Sequence, residues 1–237
     1  MIAPWGTATV SEGSVQVRTR HSPSFGIARL VLAGGEVART GVDAVATSSG
    51  ITRTTTGRPG KLGAVTRALG GDSVPETGYA AGPQGGWLDV APSFPGDVHT
   101  VEMDGRMGWT LARQSWLAAA GTVRLETSWS GFRPLFGGQP GFLVHASGQG
   151  QLVLACCGAL DVHDLQTGEF MTVDTGHVVS YTDTVQCRLR QFEQGRAQSL
   201  RTGAGLVFDF AGPGRVVTQT RSPRRLLSWS QAQPGGG

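Results

Sequence analysis

The sequence predicts an all-β chain built from three copies of one β unit and folded into a compact barrel or sandwich. Three observations predict it. Glycine supplies 37 of 237 residues, more than helices tolerate, because each Gly in a helix interior costs about 1 kcal/mol against Ala. Between the glycines, segments such as QLVLACC, LDVHDLQ, VQCRLR, LVFDFAG and RVVTQT alternate apolar and polar residues with the period of a half-buried strand. The glycines also recur: Gly82, Gly148 and Gly212 each open a turn between two apolar runs, at separations of 148 − 82 = 66 and 212 − 148 = 64.

The copies run from about residue 1 to 71, 72 to 138 and 139 to 203, ending at Gly70-Gly71, Gly137-Gly138 and Gly203. Each reads as an apolar strand, a tight Gly turn, a second strand, a polar hairpin, a further strand and a linker. Gly35, Gly105 and Gly168 are the hairpin glycines, and Asp97-Val98-His99 returns as Asp161-Val162-His163. Two linkers, KLGAVTRALGG and EQGRAQSLRTG, space apolar residues three or four apart and predict one or two helical turns. After the third copy, residues 204–221 repeat the opening hairpin of copies two and three alone. This half unit is expected to close the fold against Ile27–Gly35, burying Leu206, Phe208 and Phe210, since an unpaired edge invites aggregation. The whole of 1–221 is thus one β domain, and 222–237, rich in Pro and Gly, is expected to be a mobile tail.

Twenty basic residues against 17 acidic ones leave a net charge of +3, and Lys61 is the only lysine. So small an excess, spread along the chain, is only a weak hint of anionic partners. The longest apolar run, Leu152 to Leu160, falls short of the roughly 20 residues that span a bilayer, and no basic start leads into an apolar leader. A cytoplasmic protein without a transmembrane segment is expected, a reading compatible with peripheral membrane association. Cys156, Cys157 and Cys187 form neither a CxxC pair nor an even set, so they read as reduced, packed thiols.

Val173-Asp174-Thr175-Gly176 matches the string around an aspartic protease carboxylate. That chemistry needs two carboxylates sharing a proton. In the repeat frame Asp174 aligns with Ala112 and Arg39, neither of them a carboxylate, so Asp174 reads as a turn residue. GRPGKLG has Leu62 where a Walker loop needs Ser or Thr, and no Gly-x-Ser-x-Gly elbow appears. No catalytic, cofactor-binding or metal-ligating residue is assigned. The sharpest metal option is a cupin-like barrel using Asp161, His163, Glu169 and His177, but it lacks the His-x-His pair such a site wants. With two Tyr and scattered Arg there is no stacking platform for RNA.

Several stretches together resemble one family: APSFPGD (Ala91 to Asp97), RQSWLAA (Arg113 to Ala119), PLFGGQPGFLV (Pro134 to Val144), VDTGHVV (Val173 to Val179) and LVFDFAGPGRVVTQTRS (Leu206 to Ser222). The chain is similar over roughly 30–222 to the altered inheritance of mitochondria protein 24 family, also called domain of unknown function 124. The resemblance implies a fold similar to the trp RNA-binding attenuation protein and the double-stranded β-helix, and it transfers no catalytic residue. The functional expectation is a non-catalytic assembly or scaffold protein, a homo-oligomer with a protein partner that the sequence does not identify. A small-ligand or metal-binding cupin-like barrel is the alternative.

Overall fold

The computed structural model describes residues 15–42, 44–54, 74, 76–127, 143–191 and 206–232. The GRPGKLG stretch, both linkers predicted as helical turns and the glycine pairs that end the copies lie outside the described residues. The first unit comprises β2 (Ile27–Leu32), β3 (Val37–Gly41), β4 (Val45–Ser49), β5 (Ile51–Thr54) and the hairpin β6 (Glu76–Ala81)–β7 (Gly86–Val90). The second comprises β8 (Val98–Asp104), β9 (Trp109–Ala112), β10 (Trp116–Ala120), β11 (Val123–Thr127) and one long strand, β12 (Leu143–Ala155). The third comprises β13 (Leu160–Leu165), β14 (Phe170–Asp174), β15 (Val178–Thr182), β16 (Gln186–Gln191) and the hairpin β17 (Leu206–Ala211)–β18 (Gly214–Gln219). Strand β1 (Gln16–Arg20) adds to the outer edge of β2.

One pairing scheme serves all three units. The first arm of the closing hairpin lies between the second and fourth strands, as β3-β6-β5 and β14-β17-β16. Its second arm lies between the first and third, as β2-β7-β4 and β13-β18-β15. In the second unit β12 performs both tasks, pairing β9 and β11 through its first half and β8 and β10 through its second. At the changeover Gly148 and Gly150 hold φ of +104° and +130°, values open to Gly at no steric cost. The third strand of every unit carries a register shift, at Val45/Thr47, Trp116/Ala118 and Val178/Ser180. Such bulges bend a strand and re-aim its edge.

That edge joins the units. β10 pairs β3 (Ala118↔Thr40, Ala119↔Arg39, Ala120↔Ala38), and β15 pairs β9 in the same way (Ser180↔Leu111, Tyr181↔Thr110, Thr182↔Trp109). Where the first strands of successive units begin, the Gly26 amide donates to the Gly96 carbonyl and the Asp97 amide to the Gly158 carbonyl. A Cβ on Gly96 would overlap the Cys156 carbonyl, so the close approach there requires glycine.

Among the described residues the all-β reading stands apart from one α-helix and two short 3-10 turns, but the barrel or sandwich does not. The sheets run as open paths, β1-β2-β7-β4, β13-β18-β15-β9-β12-β10-β3-β6-β5 and β14-β17-β16, and none closes or curls strongly. The likeness expected to the trp RNA-binding attenuation protein and the double-stranded β-helix is overturned with it. The physical reason lies in the C-terminal hairpin. It does not pair with Ile27–Gly35, because β17 and β18 are the central strands of the third unit's own two sheets. Leu206, Phe208 and Phe210 are buried as expected, yet the two phenylalanines pack with Val173, Val178, Tyr181 and Val216 of that unit. The hairpin ends each unit rather than opening it.

Most of the core is continuous through the first two units and takes in Val179 and Val217 of the third. Residues 222–237, read as a tail, carry a helix, α1 (Pro223–Gln231), started by a proline in its first turn. Its Leu227 and Trp229 are exposed.

Candidate functional site

A cavity of about 220 Å³ opens where the three units meet, lined among others by Val42, Trp116, Leu117, Cys156, Cys157 and Gln219. Its walls are mostly apolar. The Cys157 amide donates to Gln219 Oε1 at 2.8 Å, and Gln219 Nε2 donates to the Gly176 carbonyl at 2.9 Å, so this glutamine ties the wall together. The buried indole Nε1 of Trp116 has no hydrogen-bond acceptor among the described residues. Burial pushes the Cys156 thiol up to about 11 and the Cys157 thiol in the same direction. The half-buried Cys187 thiol is likewise raised to about 11 by burial. All three cysteines are free and stay protonated near neutrality, the opposite of an activated nucleophile.

Asp174 ends β14 and accepts a hydrogen bond from the Gly176 amide at 2.8 Å, capping the 3-10 turn Thr175–His177. Arg225 of α1 reaches its other oxygen at 3.2 Å. The corresponding turn of the second unit, Arg113–Ser115, starts after Ala112, as the repeat frame expects. In the first unit the strand register places Gly41, not Arg39, at this position. The correction leaves the conclusion intact, because glycine offers no second carboxylate.

The cupin-like set does not assemble. Asp161 is exposed on β13, while His163 Nε2 lies 3.0 Å from Thr218 Oγ1 and His177 Nδ1 lies 2.8 Å from the Gln219 carbonyl oxygen. Glu169 sits in the β13–β14 turn. Among the described residues no three His, Cys, Asp or Glu side chains stand close enough to hold a metal ion. The Asp-Val-His recurrence is also out of register. Pairing aligns Val98 with Leu160, so Asp97 corresponds to Ala159 and not to Asp161.

Sequence reasoning missed the polar group of the first unit. Asp89, 3% exposed, receives Arg29 Nε and Nη2 at 2.7 and 2.8 Å and the Thr47 hydroxyl at 2.9 Å, one partner from each neighbouring strand. The Arg29 guanidinium lies 3.7 Å above the Trp87 ring. Alternation of WLDV around Asp89, with an arginine on a strand 60 residues earlier, carried the signal only once β2 and β7 were known to pair. A second missed pair, His145 Nε2 and Asp183 Oδ2 at 2.9 Å, is part-exposed near the join of the second and third units. Asp209 is held below the usual carboxylate range by its hydrogen bond from Arg190 and a further one from Thr172. These groups are spent on cross-strand pairing and do not converge on a common point.

The family model of Mitochondrial biogenesis AIM24 matches residues 17–221, which takes in every strand but the first residue of β1. The chain belongs to the AIM24 family. An uncharacterised protein of Streptococcus pyogenes serotype M6, M6_Spy0233, is 32% identical over 165 residues. That match takes in 68% of this chain and 65% of the streptococcal protein, so the chain spans just under two thirds of its relative. The crystal structure of SPYM3_0169 from Streptococcus pyogenes superposes with a TM-score of 0.75, covering 91% of this chain and 97% of that one. At 24% identity it shows a shared fold. No helix among the described residues is long and apolar enough to cross a membrane.

Proposed function

We propose that this AIM24-family protein is a homo-oligomeric, cytoplasmic assembly module that offers strand edges to other protein chains. One observation carries the reading: the strand pairing that joins unit to unit is used twice and then stops, leaving β4 and β14 as outer edges of their sheets among the described residues. An exposed edge presents a row of backbone donors and acceptors, and chains pair through such rows. The thiols raised by burial and the polar groups committed to cross-strand pairs support a binding rather than a catalytic role. Mass by light scattering of the full chain tests it. Assemblies larger than one chain are expected at micromolar concentration, and a monomer up to hundreds of micromolar would refute the reading.

A further inference from the structure

We infer that β4 of one copy pairs with β14 of a second copy, in the register the fold already uses at its two internal joins. The inference rests on the assembly reading above and names the surface and the partner. Within the chain, the third strand of one unit pairs antiparallel with the second strand of the unit before it, as β10 with β3 and β15 with β9. Continued once more, the rule calls for β4, the third strand of the first unit, against β14, the second strand of the third unit. Those two strands are not paired with each other in the chain, and each ends its own sheet.

The repeat register fixes which residues would face each other. Thr47, Ala118 and Ser180 are equivalent, since each follows the bulge of its strand and pairs with the matching hairpin position, Asp89, Val153 and Val217. On the opposite side Thr40, Leu111 and Val173 are equivalent, pairing with Thr77, Val144 and Phe208. Ala118 faces Thr40 and Ser180 faces Leu111, so Thr47 would face Val173, Ser48 would face Thr172 and Ser49 would face Met171. Each internal join ends with one further bond, from the Gly121 amide to the Val37 carbonyl and from the Asp183 amide to the Gly108 carbonyl. The counterpart is the Gly50 amide donating to the Phe170 carbonyl of the second copy.

Exposure agrees with this assignment. In β10 and β15 every residue is buried, whereas in β4 all but Val45 are exposed. The bulge residues show the same contrast, with Leu117 and Val179 buried and Ala46 open. At the other edge Phe170 is 77% exposed, a large apolar side chain at the first residue of β14. A β4 edge laid along β14 covers it. The contact is heterologous, β4 to β14, so it propagates from copy to copy, closing into a ring or extending as a filament according to the rotation between copies.

Disulfide trapping tests the register. Directly opposed residues in an antiparallel pair stand about 4.5 to 5.5 Å apart, within reach of a disulfide. Ser48→Cys and Thr172→Cys full chains are prepared separately, mixed and oxidised, with the wild type as the control for the three native cysteines. The expected result is an interchain disulfide in the mixture at least tenfold above either variant alone. A second pair of variants, Ser48→Lys and Thr172→Lys, places a charge on each exposed edge and is expected to lower the mass measured by light scattering while the far-ultraviolet circular dichroism stays that of the folded wild type. An oligomer that survives both lysine variants and gives no mixed disulfide overturns the β4–β14 contact and leaves the assembly reading standing. A monomeric wild type overturns both. A Ser48→Cys/Thr172→Cys chain that closes on itself as a monomer overturns the contact in favour of closure within one chain.

Discussion

Asp89 shows how much one residue of the first unit carries. Its buried carboxylate accepts three hydrogen bonds from β2 and β4, and a buried charge that loses its counter-ion costs about 3 to 5 kcal/mol. Arg29→Ala is therefore expected to destabilise the protein by about that amount, seen as a fall in the denaturant midpoint with an unchanged slope. Thr47→Val, which removes only a neutral donor, should cost about 1 kcal/mol. His99 gives a pH dependence of defined sign. Burial lowers its pKa from the ordinary value of 6.5, the Arg215 charge lowers it further, and Asp97 opposes both. The unfolded chain then binds the proton that the folded chain resists, so stability is full above 6.5 and falls as the pH drops through that value. His99→Gln should flatten the acid side of a plot of melting temperature against pH between 5 and 7, and an unchanged slope would count against the assignment.

At the scale of strands and turns, the repeat was legible because glycine is demanded by backbone conformation. Gly35, Gly105 and Gly168 hold φ of +80°, +80° and +86° between the first and second strands of the three units, where side chains with a Cβ are strained. Replacing Gly105, whose Cβ would meet nothing closer than 3.7 Å, isolates that conformational term. Gly105→Ala is expected to cost about 1 to 2 kcal/mol, read from equilibrium unfolding. Strand alternation such as LVFDFA was legible for the same local reason. The phase of the unit was not, because the hairpin that ends each unit has the same pattern whether it pairs backward or forward. The open sheets were not legible either, since β4 and β10 occupy one position in the frame but differ in their surroundings, and only pairing reveals this. The candidate site fared worse: Asp161, His163, Glu169 and His177 were chosen from a spacing along the chain, and the fold sends the two histidines to separate partners, Thr218 and the Gln219 carbonyl. The Arg29–Asp89–Thr47 group joins strands up to 60 residues apart.

For the molecule as a whole, strand pairing joins the first unit to the second and the second to the third, and all three units line one cavity. The larger core runs through the first and second units with Val179 and Val217 added, and the smaller core belongs to the third unit with Leu143 of β12 added. A succession of units has a stability approximated by each unit's own term plus terms for its neighbours. Damage to the middle should then spread both ways, and damage to the end should stay local. Leu152, buried in β12 between β8 and β10, and Phe208, buried in β17 between β14 and β16, separate the two cases. Leu152→Ala should cost about 2 to 5 kcal/mol and Phe208→Ala about 3 to 5 kcal/mol, similar totals from different places. In native-state hydrogen exchange, Leu152→Ala is expected to speed the amides of β7 and β18 alike, while Phe208→Ala speeds those of β16 and β17 and leaves β2 and β7 near their original rates. Equal acceleration across all three units in both variants would show that the chain opens only as one piece, and the neighbour-by-neighbour account would give way to a single cooperative core.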